Sequence, residues 1–269
     1  YLEGVKDGRR FLKVLREVSA KKPVVIWKGG RTEEGGRAIA SHTGSLAVPQ
    51  AIWDAAVKQS GAIKVTKMEE LIDTLKALLY LPPVRGDRVA IAGGSGGQSV
   101  AIADVFAEAG LKVPLLTQGS YDELASFFVL IGGSYRNPVD TGNVNRRQLG
   151  RILEILERDT NIDSLVLLIT ARWGNPAVLE TQINSIVDIR NKTPKPMMVI
   201  LNYSFSPGDV QQGGEIIQKL QAGGVPTFIG LERGARALKN ALDYYNLKSN
   251  CGSEEDVPCP YVIKANVAD

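Results

Sequence analysis

Histidine, cysteine and long apolar runs are scarce in this sequence. It has one histidine, His42, and two cysteines, Cys251 and Cys259, both near the C-terminus. One imidazole and two late thiols supply neither a zinc-ligand set nor a disulfide framework, so no metal site is expected. No apolar stretch is long enough to span a bilayer, so no membrane association is expected. The cysteine usage fits a reducing compartment, and we predict a cytoplasmic protein.

The charge is nearly balanced, with 32 Lys and Arg against 29 Asp and Glu and a formal net charge of +3. A mild positive excess suits an anionic small ligand. There is no dense basic stripe interleaved with aromatic residues, which excludes nucleic acid as an expected partner. The apolar share of 44% and the charged share of 23% are those of a globular protein.

Short β-branched runs alternate with amphipathic stretches and glycine-rich turns along the whole chain. This alternation predicts an α/β protein of doubly wound parallel sheets with helices on both faces. We predict strands at Pro23–Trp27, Ile63–Val65, Arg88–Ala92, Lys112–Leu116, Ser164–Thr170, Pro196–Leu201 and Val225–Ile229.

A pair of prolines, Pro82-Pro83, disfavours helix continuation and predicts a domain boundary. We place a first domain at 1–81, a second at 84–247, and a tail or linker at 248–269. Two complete strands precede the boundary, and the opening Tyr1–Gly4 resembles the end of another strand. We therefore expect a first domain that is truncated at its N-terminus and a second that is complete.

The segment around His42 is rich in small polar residues. It follows the predicted strand Pro23–Trp27 and precedes a helical stretch from about Val48 to Gln59. We expect a polar loop that leads into a helix N-terminus, where free N–H groups favour an anion. Neutral imidazole is a nucleophile near neutral pH, which suits a phosphoryl carrier. A capping or surface histidine is the alternative. The candidate phosphate-binding residues here are Ser41, Thr43, Gly44 and Ser45.

A second glycine-rich loop follows the predicted strand Arg88–Ala92 and precedes a helix. Four glycines in five residues let backbone amides approach a ligand, which predicts a phosphate cradle. The loop lacks the Gly-Lys-Ser/Thr of a Walker motif and the spacing of a dinucleotide fingerprint, and a tight strand-to-helix turn is the alternative. The candidate residues are Gly93, Gly94, Ser95, Gly96 and Gly97.

The same five residues formally match the G-x-S-x-G elbow of serine hydrolases, with Ser95 as the nucleophile. The histidine of such a site should follow the serine, whereas His42 precedes it. The order of the residues counts against a hydrolase.

Two further sites are less marked. Asn137 and Asp140 lie in a segment that fits an Asx-rich turn, and they are candidates for supporting the glycine loop. Glu3 has no local sequence signal, and an exposed glutamate at a strand end is its ordinary interpretation.

Together these segments resemble the ADP-forming acetyl-CoA synthetases, relatives of succinyl-CoA synthetase, from Tyr1 to about Tyr245. The most specific match is Ala40–Ala47, which holds Ser-His-Thr-Gly-Ser around His42. Further matches are Lys21–Val25 with Gly30–Thr32, Tyr1–Gly4 with Lys6–Arg9, Ala92–Gly97, Asn137–Asp140, and Gly224–Pro226 with Glu232-Arg233.

The resemblance implies two flavodoxin-like domains and an acid–thiol ligase. Acyl-CoA and phosphate would give an acyl phosphate, His42 would take the phosphoryl group, and ADP would receive it. Glu3 would hold one imidazole nitrogen, and the helix N-termini after both loops would face the phosphoryl group. CoA, ADP or ATP with Mg²⁺, phosphate and an acyl compound would be substrates, with no cofactor bound tightly by this segment.

The resemblance also implies partners. A CoA-binding domain and ATP-grasp domains are expected in the same chain or in a second subunit, and an oligomer is expected. This segment alone should not complete the reaction. Ser95 stands where the family often has proline, and Ala47–Pro49 replaces a common Ala-Gly continuation. A non-catalytic sensor or scaffold region of a protein acetyltransferase is the alternative, although the presence of both His42 and Glu3 favours catalysis.

Overall fold

The computed structural model describes residues 1–43, 48–94, 96–131, 133–142, 145–170, 176–202 and 206–250, with the backbone alone at 40–43, 146, 176, 177 and 250. The chain divides into two compact units. The first comprises Tyr1–Leu78 and the described residues from Asp243 onward, and the second comprises Leu79–Leu242. Each unit has a parallel sheet and several helices, which confirms the predicted α/β class.

The first unit begins with helix α1 and alternates helices with two short strands. Its elements are α1 (Gly8–Lys21), β1 (Val25–Trp27), α2 (Glu33–Thr43), α3 (Gln50–Ser60), β2 (Ile63–Val65) and α4 (Met68–Tyr80). The two strands pair in parallel, and Leu2 forms a further parallel bridge with Lys28 just after β1.

Local signals explain the boundaries of these helices. Asp7 caps α1, because its side chain accepts a hydrogen bond from the N–H of Arg10 at 2.9 Å. Gly61 ends α3 in the left-handed conformation, with φ of 74°. Helices α1 and α3 pack together over β1 through an apolar core formed by Leu15, Ile26, Trp53 and Val57.

The second unit contains a four-stranded parallel sheet in the order β3-β4-β5-β6. Its elements are β3 (Val89–Gly93), α5 (Gly96–Glu108), α6 (Gln118–Ala125), a 3₁₀ helix (Asn145–Gln148), α7 (Leu149–Arg158), β4 (Ser164–Thr170), α8 (Pro176–Lys192), β5 (Met197–Asn202), α9 (Pro207–Ala222), β6 (Thr227–Ile229) and α10 (Leu231–Asn250). The last residues of α10, from Asp243 on, belong to the first unit.

The strands of this sheet are buried along nearly their whole length. Residues Val89 to Ala92 are at most 1% exposed, and β4 and β5 are buried except at their last residues. Continuous burial is typical of parallel strands that are covered on both faces. In the described ranges, no helix combines the length and the apolar character that crossing a membrane requires.

The predicted strand Lys112–Leu116 is wrong. Lys112 alone forms a parallel bridge, with Arg88, and the chain then leaves the edge of β3. Pro114 has no N–H group with which to continue the ladder. A later segment takes its place, because Val139 forms a parallel bridge with Ala92.

The side chain of Asn137 fills the gap between these two bridges. Its Nδ2 donates to the carbonyls of Val89 at 2.9 Å and Pro114 at 2.8 Å, and its Oδ1 accepts from the N–H of Ile91 at 2.9 Å. The amide group therefore makes the hydrogen bonds that a neighbouring strand would make. Asn137 is 9% exposed, so water does not readily replace it.

Replacing Asn137 with alanine is expected to destabilise the protein by about 3 kcal/mol, because a buried backbone group that loses its partner costs roughly 1–3 kcal/mol. Urea unfolding followed by circular dichroism measures this change. The control is Gln118→Ala, at an exposed position on α6, where a change below about 0.5 kcal/mol is expected. Equal effects of the two substitutions would contradict this account of the β3 edge.

Candidate functional site

Glu3 lies beside the turn that follows β1. The N–H of Leu2 donates to the carbonyl of Trp27 at 3.0 Å, and the N–H of Gly29 donates to the carbonyl of Leu2 at 2.9 Å. This pairing places Glu3 next to Gly29, where an added Cβ would lie 3.4 Å from Glu3 Cγ. The hydroxyl of Tyr1 donates to Glu3 Oε1 at 3.1 Å. Glu3 is thus held at the carboxyl end of β1, which the sequence alone did not indicate.

His42 lies near the end of helix α2. The sequence predicts a polar loop at this position, and that prediction is wrong for the backbone, since α2 runs from Glu33 to Thr43. Acidic residues at the helix start, with an ion pair of 2.7 Å between Arg37 and Glu33, favour the helix. The side chains of Ser41, His42 and Thr43 and the whole of Gly44 and Ser45 lie outside the described residues. Their roles stay predictions.

A close contact between glycines fixes helix α2 against the turn after β1. Gly30 has φ of 64°, and a Cβ at this position would collide with Ile39 Cδ1. A Cβ at Gly35 would lie 3.0 Å from Gly30 Cα, which is tighter than ordinary packing permits. Gly30 is therefore strained for any other residue, and α2 approaches the turn closely at Gly35.

Among the residues that the structure describes, none caps the start of helix α3 with its side chain. Its N-cap residue is Pro49, whose side chain makes no capping hydrogen bond. The N–H of Trp53 bonds to the carbonyl of Pro49 at 3.1 Å, so the N–H groups that precede it have no acceptor within the helix. Such a terminus suits an anion, and it comes shortly after His42 in the chain.

A buried lysine lies under this region. Lys28 is 2% exposed, and its Nζ donates to the carbonyls of Gly29 at 3.2 Å and Gly30 at 3.4 Å. The ammonium lies 5.9 Å from the centre of the Trp53 ring. Burial, followed by the nearby Arg31, lowers the pKa of Lys28, and Asp54 partly offsets this. Sequence reasoning missed Lys28, although a lysine between a buried strand and two glycines was the available signal.

In the second unit, the predicted phosphate cradle lies at the carboxyl end of β3. Gly93 and Gly94 have φ of 99° and 77°. A Cβ at Gly93 would collide with the carbonyl oxygen of Leu168 on β4. These two glycines are therefore required by the turn itself. Around Gly97 there is nothing within 4 Å of an added Cβ, so the first turn of α5 is open there. Ser95 lies outside the described residues.

Asp140 borders this loop. It is 6% exposed, and its Oδ1 accepts from the N–H of Gly142 at 3.0 Å. Its Oδ2 faces α5, because a Cβ at Gly96 would lie 3.4 Å from it. Asn137 acts through β3, as described above. The support of the glycine loop by these two residues, and their part in ligand binding, stay predictions.

Each unit thus places a glycine-bordered turn at the carboxyl end of a parallel strand, where α/β proteins bind ligands. The predicted meeting of both turns around one phosphoryl group stays a prediction. Among the described side chains, no three His, Cys, Asp or Glu residues are arranged to hold a metal ion.

The chain is similar to one family model and to several curated proteins. Residues 1–78 match the family described as succinyl-CoA ligase like flavodoxin domain. The chain is 36% identical over 248 residues to the alpha subunit of acetate–CoA ligase [ADP-forming] I of Pyrococcus furiosus, a match that covers 88% of this chain and 50% of that protein. It is 31% identical to acetate–CoA ligase [ADP-forming] I of Archaeoglobus fulgidus, over 96% of this chain and 35% of that protein.

A solved structure agrees with these matches. It is the dinucleotide forming acetyl-coenzyme A synthetase 1 of Ca. Korarchaeum cryptofilum in complex with phosphate and ADP, with a TM-score of 0.79 and 27% identity. The match covers 95% of this chain and 55% of that one. The chain spans half or less of the length of the two curated relatives.

Gly93→Ala and Gly97→Ala form a matched pair that tests the loop geometry. We expect Gly93→Ala to destabilise the protein by more than about 2 kcal/mol, because the new Cβ meets Leu168 and φ is positive. Gly97→Ala is expected to leave stability unchanged or raise it by up to about 1 kcal/mol, since it adds a helix former in open space. Urea unfolding curves measure both. Comparable losses in the two variants would refute the assignment of strain to Gly93 alone.

Proposed function

Since this chain is a relative of the ADP-forming acetate–CoA ligases, we propose that it carries the phosphohistidine segment of an ADP-forming acyl-CoA synthetase. The relationship predicted from the sequence is confirmed by the curated relatives. One observation supports the proposal most directly. The chain's single histidine lies on α2, which is packed on the turn beside Glu3, and it precedes the uncapped start of α3.

The proposed reaction has three reversible steps. Phosphate displaces CoA from the acyl carbon, so that the thioester C–S bond breaks as a C–O bond forms. A ring nitrogen of His42 then attacks the phosphorus, and the free acid leaves as its carboxylate. An oxygen of the terminal phosphate of ADP finally takes the phosphoryl group from His42, which yields ATP and restores the imidazole.

In this proposal Glu3 accepts a hydrogen bond from one imidazole nitrogen. The carboxylate leaves the other nitrogen free to attack and stabilises the positive charge on the phosphorylated ring. Its place beside Gly29 at the carboxyl end of β1 supports this role, because the turn that positions Glu3 also contacts α2.

Backbone amides offset part of the negative charge of the phosphoryl group without a lysine. In the first unit these amides come from the uncapped N-terminus of α3. The first turn of α5, which is open at Gly97, is a separate phosphate-binding candidate in the second unit. Each helix N-terminus contributes about half a positive charge. Ser41, Thr43, Gly44 and Ser45 belong to the candidate in the first unit, and Gly93, Gly94, Ser95, Gly96 and Gly97 belong to the candidate in the second.

The proposed reaction also needs substrates and domains that this segment does not provide. CoA, ADP or ATP with Mg²⁺, phosphate and an acyl compound are its proposed substrates, and none is held tightly by this segment. The CoA-binding and ATP-grasp domains lie in the same chain or in a second subunit of a cytoplasmic oligomer. The relatives reported above are named as ligases or synthetases, so the alternative of a scaffold in a protein acetyltransferase gains no support.

Phosphorylation of His42 tests the proposal. The complete protein, incubated with acyl-CoA and phosphate or with ATP and Mg²⁺, is expected to gain an acid-labile label on His42. His42→Asn should lose this label, because the substitution removes the imidazole that carries it. Label on Ser95, or no label under either condition, would refute the proposal.

Glu3→Gln tests the proposed partner of the imidazole. We expect labelling of His42 to slow at least tenfold with an unchanged unfolding midpoint, because a neutral amide stabilises the charged ring less. The control is Glu17→Gln, at an exposed position on α1. An unchanged rate in Glu3→Gln would remove Glu3 from the mechanism.

A further inference from the structure

The buried ammonium of Lys28 contacts two parts of the first unit. One is the turn after β1, which precedes His42 in the sequence, and the other is helix α3, which follows it. The lysine side chain extends from the residue after β1 and is 2% exposed. Burying a charged group is unfavourable unless it is paired or hydrogen-bonded. Here the charge is met by two backbone carbonyls and the face of an aromatic ring. An apolar residue at the end of a buried strand would avoid this cost, so the lysine calls for a role other than filling space.

The first connection runs through the two glycines that accept its hydrogen bonds. Gly29 packs against Glu3 and Tyr1, and Gly30 packs against Ile39 of α2, three residues before His42. Because Nζ bonds to the carbonyls of both glycines, it fixes the turn between them. A change in this turn would shift Glu3 and α2 relative to each other.

The second connection runs to α3. Trp53 lies in the first turn of this helix and is 3% exposed. Its ring lies 5.9 Å from Lys28 Nζ, within the range of a cation–π interaction. The ring of Phe11 stacks on the ring of Trp53, with 5.6 Å between the two ring centres. The uncapped start of α3 is thereby tied to the same ammonium.

We propose that Lys28 is a positioning residue for phosphoryl transfer, whose buried ammonium holds Glu3, helix α2 and the start of helix α3 in one arrangement. The inference rests on the proposed function of His42. Reacting groups must be held within a fraction of an ångström of the productive geometry, and buried supporting contacts provide this. Lys28 acts through the turn and through Trp53, without contact to the reacting atoms.

Lys28→Met tests this role, because it keeps the length of the side chain and removes the charge. In the complete protein with ATP and Mg²⁺, we expect the rate of His42 labelling to fall at least tenfold. Lys13→Met is the matched control, since Lys13 is exposed on α1, and it should label at the wild-type rate. Labelling of a folded Lys28→Met variant at the wild-type rate would overturn the inference.

Should that variant fail to fold, Lys28→Arg decides: labelling within threefold of wild type supports a positioning cation, and a tenfold loss in the folded protein overturns it.

Nitrogen NMR of the imidazole provides a readout that general destabilisation does not imitate. After ¹⁵N-histidine labelling, the ring signals of His42 are those that the His42→Asn variant lacks. Wild type and Lys13→Met are expected to show one dominant tautomer, and Lys28→Met a mixture. Unchanged tautomer populations would also overturn the inference. Absence of label in the wild type refutes the proposed function instead, and the tautomer measurement still tests Lys28.

Discussion

Close packing around glycines at the carboxyl ends of β1 and β3 is the constraint on which the described parts of both candidate sites depend. At Gly30, where φ is 64°, the side chain of Ile39 on α2 occupies the space of a Cβ. At Gly93, the carbonyl of Leu168 on β4 occupies the space of a Cβ. Each approach sets the direction in which the chain leaves the end of a parallel strand.

Much of this architecture is visible in the sequence. The strands Ile63–Val65 and Ser164–Thr170 agree with prediction residue by residue, and β1, β3, β5 and β6 agree within two residues at each end. Buried parallel strands are easy to recognise, because short apolar β-branched runs between turn residues seldom form other secondary structure. The second glycine loop was found for the same reason, since it directly follows such a strand.

The errors arise where distant residues or competing local signals decide the structure. The strand predicted at Lys112–Leu116 fails because Asn137, 23 residues beyond Pro114, supplies the hydrogen bonds at that edge. No local sequence pattern predicts such a contact. At His42, the small polar residues suggested a loop, whereas the acidic first turn of α2 and its ion pair extend the helix to Thr43. Lys28 was missed because a lysine is rarely fully buried, and the strand before it and the glycines after it are too weak a signal to overrule that tendency.

The Asn137 side chain has a further consequence for the sheet of the second unit. A strand with unpaired N–H and C=O groups along its side is a template on which a foreign strand can assemble. Along β3 those groups are already engaged: Val89 and Ile91 bond to the amide of Asn137, and Gly93 bonds to Val139. A side chain cannot propagate a ladder to a next strand. Asn137, together with the backbone bridges of Lys112 and Val139, therefore leaves the described part of this edge with few groups to which a foreign strand could bond.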